Sequence, residues 1–100
     1  MNIGQAIKMC RTRRELSQEK LARRADCSVS YLSLLENNQR DPTLSTIKKI
    51  SVALNVPIGI LFFLAADRDD ISGMDKELAG QIARTALELL SESDPQPSLL

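Results

Sequence analysis

Apolar residues recur along this chain at steps of three and four, and no stretch alternates cleanly with a period of two. Such spacing lays a stripe along one side of an α-helix, whereas a half-buried strand needs alternation. Ile3, Ala6, Ile7 and Cys10 make the first stripe, with Lys8, Arg11 and Arg14 off it, so a helix is expected over about residues 2–14. Ser17 reads as the N-cap of a short second helix that buries Leu21, Ala22 and Ala25, because its hydroxyl can accept from a free first-turn amide. Asp26 follows, a residue that tolerates a left-handed turn better than most. Ser28 caps a third helix with a narrow inner stripe of Leu32 and Leu35. Asn37-Asn38 ends it, since asparagine substitutes for glycine at a left-handed C-terminal position. After a polar loop from Gln39 to Pro42, Thr43 caps a fourth helix, whose inner face is Leu44, Ile47, Ile50, Ala53 and Leu54 and whose stop is Asn55. Pro57 suits the first position of a fifth helix, where a missing N–H costs nothing, and that helix runs to about residue 66. Met74, Leu78, Ile82, Ala86 and Leu89 mark a sixth, over about residues 75–92.

The fold class expected is therefore all-α. One hundred residues make about one domain, which leaves little room for a large substrate cleft. Histidine is absent, and with it the usual neutral-pH acid/base group and the commonest metal ligand. Two cysteines cannot alone form a four-ligand zinc site; Cys10 reads as core and Cys27 as a free thiol after a turn. Ser28, Ser30 and Ser33 lack a neighbouring base, so nucleophilic catalysis has no support. No enzyme, metal, cofactor or small-molecule substrate is expected. The opening residues carry no apolar run of signal-peptide length. The longest apolar stretch, Ile58 to Ala66, is broken only by Gly59 and falls far short of the ~18 residues that span a bilayer. A cytoplasmic location without membrane contact is the expectation.

The net charge is zero, but its distribution is uneven. Residues 1–50 hold ten lysines and arginines against five acids, and residues 51–100 hold three against eight. A basic front half suggests a polyanion-binding part joined to a part with another job. Within that front half, two short helices meet at a tight turn, and the second opens with small polar residues. These are the parts of a helix-turn-helix, in which the second helix lies in the major groove and the first braces it.

Several anchors fall in register with a known family. Ile3-Gly4, the run Leu16 to Ala22, the run Ser28 to Glu36, Pro42-Thr43-Leu44 and Leu54 to Pro57 together resemble the phage-repressor/Cro-like (XRE) helix-turn-helix family over about residues 3–64. The resemblance implies a five-helix lambda-repressor-like domain over residues 1–66, to which this chain adds an acidic connector and C-terminal helix (67–92) and a disordered tail (93–100). By position, Val29, Ser30, Ser33 and Leu34 would face base edges. Gln18, Tyr31, Asn37 and Arg40 would lie along the phosphates, with Arg11, Arg14 and Arg24 nearby. Arg11 and Glu36 would form a structural pair tying the third helix to the scaffold.

Two departures stand out. Many relatives carry amide or guanidinium side chains where this chain has Val29 and Leu34. Neither aliphatic can make a bidentate bond to adenine or guanine; each can touch a thymine methyl, unless Leu34 is simply buried. The fifth helix, with Gly59, Ile60, Phe62 and Phe63, is apolar on nearly every side, so something beyond the five-helix domain must cover it. The sixth helix or a second subunit can do so, and Ile60, Phe62, Phe63 and Leu89 are the expected dimer interface. The implied function is a DNA-binding transcriptional regulator, a homodimer on a palindromic operator in double-stranded DNA. The alternative is a protein-interaction module, such as an antitoxin or anti-regulator, that uses the apolar C-terminal surface.

Overall fold

The computed structural model describes residues 1–67 and 72–91. Among these residues the chain is all helix: α1 (Ile3–Arg13), α2 (Gln18–Arg24), α3 (Val29–Glu36), α4 (Leu44–Leu54), α5 (Ile58–Ala65) and α6 (Lys76–Ser91). The tail expected at 93–100 and part of the connector lie outside the described residues.

The helices begin where small polar side chains can take up free amides. Ser17 accepts from the Lys20 amide, Ser28 from Tyr31 and Thr43 from Thr46. Asn2 does the same for α1, accepting from Gln5. Pro57 stands one position earlier than expected, as the residue preceding α5.

Four helices end in the same way. Glu15, Asp26, Asn38 and Asn55 each take a left-handed backbone, with φ of 59°, 57°, 58° and 56°. In each case the next residue's amide reaches back five positions to a helix carbonyl: Leu16 to Arg11, Cys27 to Ala22, Gln39 to Leu34 and Val56 to Ser51. This is the Schellman closure, which satisfies carbonyls that the helix leaves open. None of the four left-handed residues is glycine.

Helices α1 to α5 are 7 to 11 residues long. Isolated helices below roughly 12–15 residues are marginal in water, so these persist because they pack. Helix α1 touches α3, α4, α5 and α6, while α2 packs on α3 and α4. Ile7, Cys10, Leu21, Leu32, Leu35, Ile50 and Leu61 are fully buried at the centre. Each buried leucine or isoleucine contributes about 1.5–3 kcal/mol relative to exposure.

Three expectations about which way side chains face are corrected. Leu44, expected inside, is 62% exposed because α4 turns its Ile47, Ile50 and Leu54 side to the core instead. Leu78 is also exposed, and the deeply buried positions of α6 are Ala86 and Leu90. Met74, Ile82 and Leu89 of the expected stripe are half-buried, so the departure lies at Leu78, which faces out, and at Leu90, which faces in, where α6 seats on α1 and α5. Arg14, placed among the phosphate contacts, is 1% exposed.

Candidate nucleic-acid interface

Helix α3 has eight residues and is about 12 Å long, a length that a major groove accepts. Its inner side is Leu32, Leu35 and Glu36, all buried. Val29, Ser30, Ser33 and Leu34 fall within about 140° of the helix circumference, so they share the opposite side. Val29 and Ser30 are exposed, and Ser33 and Leu34 are half-buried. Leu34 is therefore neither free nor enclosed.

One network holds α3 in place. Arg11 Nε donates to Glu36 Oε2 at 2.7 Å, and Arg11 Nη2 donates to Glu36 Oε1 at 3.0 Å. The third Arg11 nitrogen, Nη1, donates to the Leu16 carbonyl at 2.9 Å. Gln18 Nε2 donates to Glu36 Oε1 at 3.0 Å. One carboxylate thus joins the end of α3 to α1, and to the first residue of α2. The side chains of Arg11 and Glu36 are 12% and 1% exposed, so solvent screens the pair weakly. A two-pronged bond of this kind fixes orientation as well as distance. All three Arg11 nitrogens are engaged within the protein.

Arg14 is likewise turned inward. Its Nη2 donates to the Asn55 carbonyl at 2.9 Å, across the end of α4. A cation suits that place, because the carbonyl end of a helix carries partial negative charge. Among the described residues, Nε and Nη1 of Arg14 have no hydrogen-bond partner.

The other residues expected along the phosphates lie closer to the surface. Asn37 and Arg40 are exposed on the segment that leaves α3, and Gln18 is half-buried. Asn37 Nδ2 folds back to the Ser33 carbonyl at 2.9 Å. Tyr31 is half-buried and packs against the core. Arg24 lines a hollow between α2 and α4 with Lys48 and Lys49.

Neither thiol is activated. Burial pushes Cys10 up to about 11, although the Arg14 guanidinium pulls the other way. Cys27 is also raised, by burial first and then by Asp26, against the opposing charge of Lys49. Reactive thiols need a lowered pKa. Among the described residues no group of histidine, cysteine and acid side chains is placed to hold a metal.

Away from α3, helices α5 and α6 leave a groove of about 620 Å³. Ile60, Phe62, Phe63, Met74, Ile82 and Leu89 line it. Among the described residues no single helix is long and apolar enough to cross a membrane.

Sequence reasoning did not find Asn2 or its links. Its amide donates to the Ala65 carbonyl at 2.7 Å, and its Oδ1 accepts from Asn38 Nδ2 at 2.9 Å. The polar residue just ahead of the first apolar stripe was the available signal.

Two short helices locked at a tight turn, with a small-residue face turned outward, define a helix-turn-helix domain. Residues 7–61 match the family model described as helix-turn-helix, and the chain belongs to that family, of the phage-repressor/Cro-like kind that its motifs resemble. It is similar to the immunity repressor protein of Bacillus phage phi105, 38% identical over 61 residues that cover 61% of this chain and 42% of the relative. It is similar to the HTH-type transcriptional regulator SinR of Bacillus subtilis (strain 168), 38% identical over 60 residues, 59% of this chain and 54% of SinR. The control protein C.MunI of a Mycoplasma species is 34% identical over 63 residues, 62% of this chain and 85% of that protein. The chain thus spans about half the length of the first two relatives.

Proposed function

We propose that this chain is a non-enzymatic, cytoplasmic transcriptional regulator that binds double-stranded DNA through α3. The observation that carries this reading is the face Val29, Ser30, Ser33 and Leu34, turned away from a core to which α3 is bolted by Glu36. The relatives named as repressors and regulators support it, as does the excess of cations in the front half. Ser30 and Ser33 bond either base type, and Val29 and Leu34 offer only methyl contacts. Part of the selectivity then comes from groove shape and phosphate geometry.

The test is titration of a DNA fragment selected from a genomic pool. Ser30→Glu sets an anion against the phosphates and abolishes binding while helical content stays unchanged. Arg40→Ala weakens all sequences about equally and lowers the slope of log affinity against log salt by about one. Undiminished affinity in a folded Ser30→Glu protein would refute the placement of α3.

The reading extends to a homodimer on a palindromic operator. A single face with two serines and two aliphatics reads few bases, and two copies about 34–36 Å apart double the site. The α5–α6 groove, with Ile60, Phe62, Phe63 and Leu89, is the proposed seam, because an apolar patch this continuous is a liability on a soluble monomer. The C-terminal part, 67–92, would thus serve dimerisation or docking together with α5, which supplies the other side of the groove. Sedimentation at micromolar concentration should give twice the 11.1 kDa of one chain, and Leu89→Asp should halve that mass. A concentration-independent single-chain mass in the wild type would rule the dimer out.

A further inference from the structure

The Schellman closure at the end of α3 needs only a left-handed residue at position 38, and glycine would serve there as well as Asn38. The backbone bonds from Asn38 to Leu35 and from Gln39 to Leu34 complete it without a side chain. Yet the Asn38 amide reaches across 36 positions of sequence to donate to Asn2 Oδ1 at 2.9 Å. The same oxygen accepts from the Gln5 amide at 2.9 Å and so caps α1, while Asn2 Nδ2 donates to Gln5 Oε1 at 3.2 Å. The Asn2 backbone amide is held by Ala65 at the end of α5. Gly4 lets the two segments approach: a Cβ on it would overlap the Leu35 carbonyl oxygen and the Asn38 side chain.

Position 2 is thus fixed to α1 and α5, and it holds the exit of α3. Directly after that exit come Gln39 and Arg40, both exposed. We infer that Asn2 and Asn38 are positioning residues for DNA binding, a tether that holds the segment carrying Asn37 and Arg40 ready to meet phosphate. This rests on the DNA-binding reading above. A segment already ordered in the free protein loses less conformational freedom on binding, so the tether strengthens the complex without touching DNA.

Three substitutions separate the tether from the cap. Asn2→Ser keeps a capping oxygen but is too short to reach Asn38. Asn38→Gly keeps the left-handed backbone and loses the amide. Asn2→Asp keeps an acceptor for both Gln5 and Asn38. Two measurements are made: amide hydrogen exchange at Gln39 and Arg40 in the free protein, and affinity for the selected DNA fragment. Asn2→Ser and Asn38→Gly should each speed exchange and weaken DNA binding by about threefold to tenfold, the range of one net hydrogen bond. The double variant should be no worse than either single one, and Asn2→Asp should exchange like wild type.

Wild-type exchange and affinity in Asn2→Ser, or additive effects in the double variant, would overturn the tether. Absence of salt-dependent DNA binding by the wild-type chain would instead overturn the DNA-binding reading, and the positioning role with it.

Discussion

Glu36 is the side chain whose loss should be felt in most places at once. It is 1% exposed at the side chain and accepts two bonds from Arg11 and one from Gln18. An exposed pair of these charges contributes about 0–1 kcal/mol, but a buried, two-pronged one behaves otherwise. Replacing Glu36 with leucine leaves the Arg11 guanidinium buried without its counter-charge. Replacing Arg11 with methionine leaves the carboxylate with Gln18 alone. Each single change should cost about 3–5 kcal/mol, the penalty of an uncompensated buried charge. The double variant removes both charges and fills the space with apolar atoms, so it should be no less stable than either single one. The coupling is then about 3 kcal/mol, far above the scatter of independent sites. In a domain of this size each kcal/mol moves Tm by about 4–8 °C, so either single variant should melt at least roughly 12 °C lower. Urea unfolding followed by helical circular dichroism measures all four proteins, with unchanged slopes confirming a common transition. A coupling below about 0.5 kcal/mol would mean that the charges act independently and that the bolt described here does not exist.

Two further outcomes concern stability alone. Glu15 carries a full side chain at φ 59°, a conformation that crowds Cβ, so Glu15→Gly should raise stability by about 0.5–1 kcal/mol in urea melts, and a loss would show that this crowding costs nothing here. Cys10, lifted from 9.0 to about 11, keeps its proton longer in the folded protein than in the unfolded one. Its stabilising contribution is therefore whole below the unfolded value and is lost as the pH rises through the folded one, at about 1.4 kcal/mol per unit. Cys10→Ala should flatten that decline in melts taken across this pH window, and an unchanged slope would refute the assignment.

Helix starts were legible because they depend on local chemistry. Ser17, Ser28 and Thr43 sit one residue ahead of the helices they cap, where a hydroxyl meets an amide three positions on. The left-handed exits at Asp26, Asn38 and Asn55 were legible for the same reason, whereas Glu15 gives no local sign and is set by the closure between Leu16 and Arg11. Side-chain direction was harder. Arg14 looked like its exposed neighbours, but its direction depends on the end of α4, 41 positions away. Leu44 and Leu78 fit an amphipathic stripe on paper, yet each lies at the margin of its helix's buried face, where the seat against neighbours decides. The partnership of Arg11 and Glu36 came from resemblance to a family, since nothing in a 25-residue separation predicts it.

The division of α3 into two sides has a consequence for how such a protein changes over time. Leu32, Leu35 and Glu36 keep the helix seated, whereas Val29 and Ser30 are exposed and Ser33 and Leu34 only half-buried. The exposed positions can therefore be rewritten while the scaffold remains the same. On the DNA-binding reading proposed above, new operators become reachable by exchanging exposed side chains on a fixed mount. A lineage built on this mount can diverge in what it reads long before it diverges in how it folds.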